Sequence, residues 1–363
     1  MQHGLVSQTA ISRMTRRDVL RWSLLAASAL PLSAHSAGLV GNPLLASVPP
    51  PFQERPELMV AGAEDGPLAP FAAALVSGLN QQLPPTQTVH VRQSGGADGV
   101  TAANQFEATA LPDGRTVLLV SGAAAMAWLR GDPRAQFDVG HWLPVATSLV
   151  SCVVLARSMP VSGGILRLAV EGDPTLALPA QLGLYLLGQE GVRLVAVEDA
   201  VAAVQRGDAD LAFLRGPRTA ARMAKANGLV PMFSFGSLDQ NNRLLRDPFL
   251  TGVSTLPELL DSHPERQSSA ALLAGWHATA AAARLEMALL LPWLTPPGSV
   301  TWWRGAFGGI SMPQQQDVER PELGAAGSRL WRNDPNGNFG ITPIVINSAT
   351  SLALHRWMID QPV

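Results

Sequence analysis

A glycine-rich turn near residue 95 is the segment with the clearest potential for chemistry. In the stretch SGGADGV, Gly95, Gly96 and Gly99 separate an alternating strand from a predicted helix. A turn of this kind can direct bare backbone N–H groups at an anion, and the helix dipole favours negative charge at the same end. A nucleotide phosphate loop also needs a lysine and a hydroxyl residue after the glycines, but Lys225 is the only lysine in the chain. The turn therefore predicts an anion site made of backbone amides, with Asp98 capping the helix behind it.

Acidic side chains follow the predicted strands on both sides of this turn. They are Glu64, Asp65, Glu171, Asp173, Glu198 and Asp199. Helix capping is one role for them, and Asp65 and Asp199 each precede a predicted helix. If two or more of the acids instead face a ligand, their charge repels a dicarboxylate, and an amine, an amide or an amino acid is favoured. Both interpretations stay open at the level of sequence.

Strands and helices alternate from about Pro56 onward. The first unit contains the strands Leu58–Ala61, TVHVRQ and TVLLVS, and the second contains LRLAVEG, VRLVAVED, DLAFLRG and LVPMFSF. The apolar run Trp142–Ser158, which is long enough for two strands, connects the units. This order predicts an α/β protein with a two-lobed fold, in which each lobe is a mainly parallel sheet flanked by helices.

The loops at the carboxyl ends of these strands are the expected ligand-binding site, because open α/β sheets bind ligands outside those ends. In lobe one the predicted site residues are Gly62, Ala63, Glu64, Asp65, Gly95, Gly96, Ser121 and Gly122. In lobe two they are Glu171, Gly172 and Asp199. The two groups are expected to face each other across an interlobe cleft.

Residues 1–36 have the pattern of an export signal. The pair Arg16–Arg17 precedes the apolar run Trp22–Leu32, and small residues follow. The segment TRRDVLR is similar to the twin-arginine motif. Residues 37–55 are predicted to form a Pro-rich linker, and no later segment is long and apolar enough to span a bilayer. These features predict a soluble protein that is exported to the periplasm, through the twin-arginine pathway.

The composition argues against several other functions. With 26 basic and 28 acidic residues, the formal net charge is -2, which gives no electrostatic reason to expect nucleic acid. The single cysteine, Cys152, lies in an apolar run and predicts a buried strand thiol. The chain has no G-x-S-x-G or H-E-x-x-H motif, and its histidines are scattered. We therefore predict no enzymatic activity, no metal and no cofactor.

Several short motifs follow one another in an order typical of one family. The chain has SGGADGVTAANQFEATALPDGRTVLL, FDVGHWLPVA, GDADLAF, STLPELL and LPWLTPPGSV, and SLALHRWMID near its end. With these motifs, residues 56 to 360 resemble the substrate-binding proteins of tripartite tricarboxylate transporters, the Bug-type periplasmic binding proteins. The motifs are individually short, so the resemblance depends on their number and order.

The resemblance implies a type II periplasmic-binding-protein fold, whose lobes close over a small and usually carboxylated metabolite. Membrane subunits of the transporter would then receive that ligand. We also expect the protein to be a monomer. In the family, the first strand–helix loop and the Gly-Gly turn hold a ligand carboxylate, largely through backbone N–H groups. Lobe one is expected to comprise residues 56–145 and roughly 290–363, and lobe two residues 146–262.

Departures from the family pattern support an alternative function. Val195–Asp199 stands where the family has V-P-Y-x-G, and an additional helical segment is predicted at residues 263–287. The additional segment is either an extra packed helix or a lid or partner surface. Together with the acidic loops, these departures allow a transport-deficient scaffold that acts as a periplasmic partner or accessory protein.

Overall fold

The structure is a computed structural model that describes residues 50–158, 164–239, 241–263, 269–308, 310, 329–332 and 339–360. The predicted export signal, with its arginine pair, and most of the predicted linker lie outside these residues. Within the described ranges, none of the helices has the length and apolar character needed to cross a membrane.

Lobe one is built on three parallel strands. The central strand β1 (Glu57–Ala61) pairs with β2 (His90–Ser94) on one side and with β3 (Thr116–Val120) on the other. The helices that follow these strands are α1 (Ala69–Gln82), α2 (Val100–Thr109) and α3 (Gly122–Leu129). On α1 the buried residues Phe71, Leu75 and Leu79 recur every four positions, which gives the helix one apolar face.

One long strand, β4 (Leu143–Ala156), passes through both lobes. Its first part pairs with β11 (Leu285–Leu291) and β12 (Arg329–Arg332), and its second part with β7 (Leu211–Gly216) and β8 (Val230–Ser234). All of these pairs are antiparallel, and β11 also pairs antiparallel with β3. The apolar run that is long enough for two strands therefore forms a single strand. Its residues from Val145 onward are all buried, which explains the continuous apolar sequence.

Lobe two repeats the parallel arrangement of lobe one. Strand β5 (Leu166–Val170) lies between β6 (Val192–Ala196) and β7 and is parallel to both. Its helices are α4 (Leu178–Leu186), α5 (Ala200–Arg206) and α6 (Thr219–Lys225). The sheet order is β2-β1-β3-β11-β4-β7-β5-β6. Parallel strands thus form the outer part of each lobe, and antiparallel strands connect the lobes at the centre.

The remaining elements include a helix whose second half is buried. They are the hairpin β9 (Ser237–Leu238) and β10 (Leu244–Leu245), and the helices α7 (Leu256–Asp261), α8 (Ala270–Arg284), α9 (Pro297–Gly308) and α10 (Ser348–Ile359). Helix α8 falls within the additional segment predicted at residues 263–287. It contacts α3 of lobe one, α4 of lobe two and α10. The second half of α8 is buried on all sides, as expected of a core helix, so the described helical part of this segment is a packed helix, and β11 begins at Leu285.

Cys152 is fully buried on β4, as the sequence predicts. Burial raises the pKa of its thiol to about 12, because the low-polarity surroundings disfavour the thiolate. A thiol with this pKa stays protonated at neutral pH, and Cys152 is therefore a packing residue and not a nucleophile.

Candidate functional site

The glycine-rich turn has the geometry needed to present backbone amides. Gly96 and Gly99 have φ angles of 93° and 77°, in the left-handed region that favours glycine. Gly99 is the N-cap residue of α2, and the Asp98 carboxylate accepts a hydrogen bond of 3.2 Å from the N–H of Val100. Asp98 therefore does satisfy one of the open amides at the start of this helix. Gly95 and Gly96 are exposed beside it.

The loop after β1 lies at the same edge of the sheet. The Gly62 N–H donates to the carbonyl oxygen of Ser94, 2.8 Å away, so the loop starts next to the glycine-rich turn. Ala63, Glu64 and Asp65 are exposed. The prediction that Asp65 caps α1 is wrong. The helix begins only at Ala69, its N-cap residue Leu68 makes no side-chain cap, and a turn separates Asp65 from the first open amides.

Two of the predicted acids of lobe two, Glu171 and Asp199, form ion pairs with an arginine that was not predicted from the sequence. The Arg222 guanidinium on α6 forms a two-armed ion pair with Glu171, with one N–O distance of 2.7 Å. It also lies 3.4 Å from a carboxylate oxygen of Asp199. Glu171 raises the pKa of Arg222 through this hydrogen bond. Both acids are thus partly neutralised, and Gly172 beside them is exposed with φ of 69°.

Both acids also cap α5. The Asp199 carboxylate accepts from the N–H groups of Val201 and Ala202 at 3.0 and 3.1 Å, and Glu171 accepts from that of Ala200 at 2.7 Å. The capping role predicted for Asp199 is therefore confirmed. The sequence left open whether Glu171 caps a helix, and the structure shows that it caps α5.

Asp199→Ala is expected to lower the free energy of unfolding by about 0.5–2 kcal/mol, the usual cost of a lost N-cap. Asp65→Ala is the matched control, because Asp65 is exposed and does not cap α1. Its effect is expected to stay within about 0.5 kcal/mol. Urea unfolding of both variants checks this. Equal losses in the two variants would contradict the assigned roles.

Ser121 and Gly122 lie at the start of α3, where α8 comes close. Ser121 is half-buried and is the N-cap residue of α3. A Cβ atom on Gly122 would overlap the carbonyl oxygen of Ala282 and lie 2.7 Å from that of Leu285. The end of α8 therefore covers the start of α3, and Gly122 is buried against backbone. Only a glycine permits this approach.

An open groove of about 430 Å³ lies between the glycine-rich turn and the first turn of lobe two. Its volume is within the usual range of small-molecule sites. Its lining residues are Gly96, Ala97, Asp98, Ala123, Ala127, Arg130, Asp132, Arg134, Asp173 and Thr175. Gly96 is the one predicted site residue among them. The groove nevertheless lies between the carboxyl ends of strands from both lobes, where the sequence predicted a cleft.

The charged side chains of the groove are mostly ones that sequence reasoning missed. Arg134 lies between two carboxylates, at 2.8 Å from Asp98 and 2.7 Å from Asp132. The hydrogen bond from Arg134 lowers the pKa of Asp132, and both carboxylates raise the pKa of the guanidinium. Arg130, the C-cap residue of α3, is exposed. A signal for this cluster is the sequence LRGDPRA, whose charges directly follow the predicted helix.

Similarity to known proteins is found in structure and not in sequence. No protein-family model and no curated protein matches the chain. A TctC solute-binding protein from Polaromonas is similar with a TM-score of 0.57 and 14% identity, over 84% of this chain and 98% of that chain. MatC from Rhodopseudomonas palustris, with bound malate, has a TM-score of 0.45 and 17% identity, over 84% and 97% of the two chains. The periplasmic binding protein BugD has a TM-score of 0.43 and 18% identity, over 85% and 95%.

At these identities the similarity is evidence for the fold alone. Of the three proteins, the one from Polaromonas supports the fold assignment, because its TM-score is above 0.5. The Polaromonas protein is a TctC solute-binding protein, and its fold is the one that the motif order implies. The fold predicted from the sequence is therefore confirmed. The chain therefore has a two-lobed α/β fold that is similar to that of the Polaromonas protein.

Proposed function

We propose that the protein is an exported periplasmic solute-binding protein that captures a small polar metabolite, namely a carboxylate, an amino acid or an amide. The observation that carries this proposal is the groove between Gly96 of lobe one and Thr175 of lobe two. It lies at the carboxyl ends of the strands, which is where α/β proteins bind ligands. It contains both cationic and anionic side chains, so it suits a polar ligand.

In this proposal the protein performs no chemistry and acts as a monomer. The amides of Gly95 and Gly96 bind an anionic end of the ligand, and the loop from Gly62 to Asp65 borders the site. Glu171, Gly172, Asp199, Ser121 and Gly122 do not line the groove itself and are proposed to support it from the adjoining loops. The bound metabolite passes to the membrane subunits of a tripartite tricarboxylate-type transporter.

A thermal-shift screen of the mature protein tests the proposal, with carboxylates, amino acids and amides as the compounds. We expect at least one compound to raise the melting temperature, since a ligand at 100 times its Kd stabilises the folded state by about 2.7 kcal/mol. Gly96→Trp is expected to abolish that shift by filling the groove.

Gly228→Trp is the matched control, because Gly228 also has a positive φ, of 78°, and open space around its Cα. It should keep the ligand-induced shift. A screen in which no compound binds would contradict the proposed function. Binding that survives Gly96→Trp would contradict the position of the site.

Export through the twin-arginine pathway is proposed from the arginine pair and the apolar run that follows it. Replacing Arg16 and Arg17 together by lysine is expected to leave an unprocessed precursor in the cytoplasm. Fractionation of cells that express either form measures this. Normal export of the double variant would exclude the twin-arginine route while leaving the solute-binding proposal intact.

A second candidate function is a transport-deficient scaffold that serves as a periplasmic partner or accessory protein. Helix α8 favours it, because this helix contacts α3 and α4 and so joins the two lobes. Such a connection restricts the lobe closure on which transport depends. Affinity purification from an envelope fraction distinguishes the candidates. Recovery of transporter membrane subunits supports solute delivery, and recovery of an unrelated envelope protein in their place supports the scaffold.

A further inference from the structure

We propose that the groove selects a zwitterionic ligand, an α-amino acid or a related amino carboxylate, with Arg130 binding its carboxylate and Asp173 facing its ammonium group. This inference rests on the proposed solute-binding function and narrows its ligand class. It follows from how the charged side chains of the groove are already engaged with one another.

Arg130 is the arginine of the groove whose guanidinium is not held in an ion pair within the described residues, although its charge lowers the pKa of nearby Asp132. Among the described residues it makes no ion pair within 4 Å and no hydrogen bond through its guanidinium. The other groove arginine, Arg134, already forms ion pairs with Asp98 and Asp132 through Nε and one Nη nitrogen. A guanidinium presents planar paired donors that match a carboxylate, so Arg130 is suited to hold one in a two-armed contact.

The acids of the groove make it unsuitable for a second anionic group. The cluster of Asp98, Asp132 and Arg134 has a formal charge of -1, because two carboxylates share one guanidinium. Asp173 adds another negative charge. One of its oxygens accepts the N–H of Thr175 at 2.9 Å, and no cation among the described residues pairs with it. A dicarboxylate would bring its second charge against these acids, whereas an ammonium group is attracted to them.

The size and backbone of the groove fit the same ligand class. A volume of about 430 Å³ accommodates an amino acid with a short or medium side chain. Gly96 and Ala97 line the same groove as Arg130, so backbone and side chain both border the ligand's anionic end. Ala123 and Ala127 form the adjacent wall and leave room for an uncharged side chain.

Calorimetric titration of the mature protein tests this with matched probes. Serine and glutamine carry both charges. N-acetylserine keeps the carboxylate but lacks the ammonium group, serine amide keeps the ammonium group but lacks the carboxylate, and succinate carries two carboxylates. We expect the amino acids to bind, and each probe that lacks one charge, as well as succinate, to bind about tenfold more weakly or worse.

Three variants assign the two charges to residues. Arg130→Gln is expected to weaken amino-acid binding by about tenfold or more, and Asp173→Asn, whose amide oxygen can keep the cap, to weaken it to a lesser degree. Arg193→Gln, an exposed arginine on β6 outside the groove, is the control and should bind like the unaltered protein. Unchanged melting temperatures of the free variants verify that each one is folded.

The outcomes separate this inference from the proposed function. If succinate binds as tightly as serine, or if the affinity for serine is unchanged in Arg130→Gln, the proposal of a zwitterionic ligand is wrong. The proposed solute-binding function is not contradicted by either result. If neither these probes nor the broader screen binds, both proposals fail. Amino-acid binding that requires Arg130 and not Arg193 supports both.

Discussion

Trp276→Ala is expected to lower the free energy of unfolding by about 3–5 kcal/mol, the usual cost of truncating a large buried aromatic side chain. Trp276 is fully buried on α8, and its indole N–H donates to the carbonyl oxygen of Pro179 on α4 at 3.0 Å. The ring also contacts Phe235 edge-on. Loss of the side chain leaves a cavity where α8 packs against lobe two, and removes the hydrogen bond that joins the two helices.

Trp293→Ala provides the matched control, because Trp293 is 53% exposed in the loop after β11. Its loss is expected to cost less than about 1 kcal/mol. Chemical denaturation of the two variants measures the difference. If Trp276→Ala were as stable as the control, α8 would not be the packed interlobe helix described above.

The second large effect is expected at a buried ion pair near the centre of the sheet. Asp247 and Arg284 are both buried, with 3.6 Å between the nearest carboxylate oxygen and guanidinium nitrogen. Asp247 also accepts from Ser151 Oγ at 3.1 Å, and Arg284 donates to the carbonyl oxygen of Val150 at 3.2 Å. Both contacts reach β4 where it passes from one lobe to the other. The pair therefore joins the end of α8 to the connecting strand.

Asp247→Ala alone is expected to cost about 3–5 kcal/mol, because it removes the buried carboxylate that faces the buried Arg284 charge. Arg284→Met should destabilise by a similar amount for the converse reason. The double variant is expected to lose less than the sum of the two single losses, by about 0.5–3 kcal/mol, since residues in contact couple. Strictly additive losses in a double-mutant cycle would mean that the two side chains do not interact.

The sequence predicted the parts of the fold that depend on local pattern. Alternation and apolar runs located the parallel strands on each side of β4, and Asp199 capped α5 as its position before the helix implied. The same rule gave a wrong prediction for Asp65 as a helix cap, because turns occupy the chain between Ala63 and Ala69 and α1 begins only after them. A cap prediction requires the helix boundary to within one residue, and patterns seldom provide that.

The parts of the site that depend on distant residues were not predictable. Arg222 lies 51 residues after Glu171, and nothing local to either residue indicates their ion pair. The packing of α8 against Gly122 is likewise a contact between segments far apart in sequence. The loops were correctly assigned to strand ends, but which of them line the groove depends on the way the two lobes meet.

A crystal structure of the mature protein with the amino acid that binds best tests the central claim most directly. The account predicts electron density for that ligand in the groove, with its carboxylate against Arg130 and the turn at Gly96 and its ammonium group toward Asp173. Ligand density elsewhere, for example between Glu171 and Asp199 with the groove unoccupied, would contradict it.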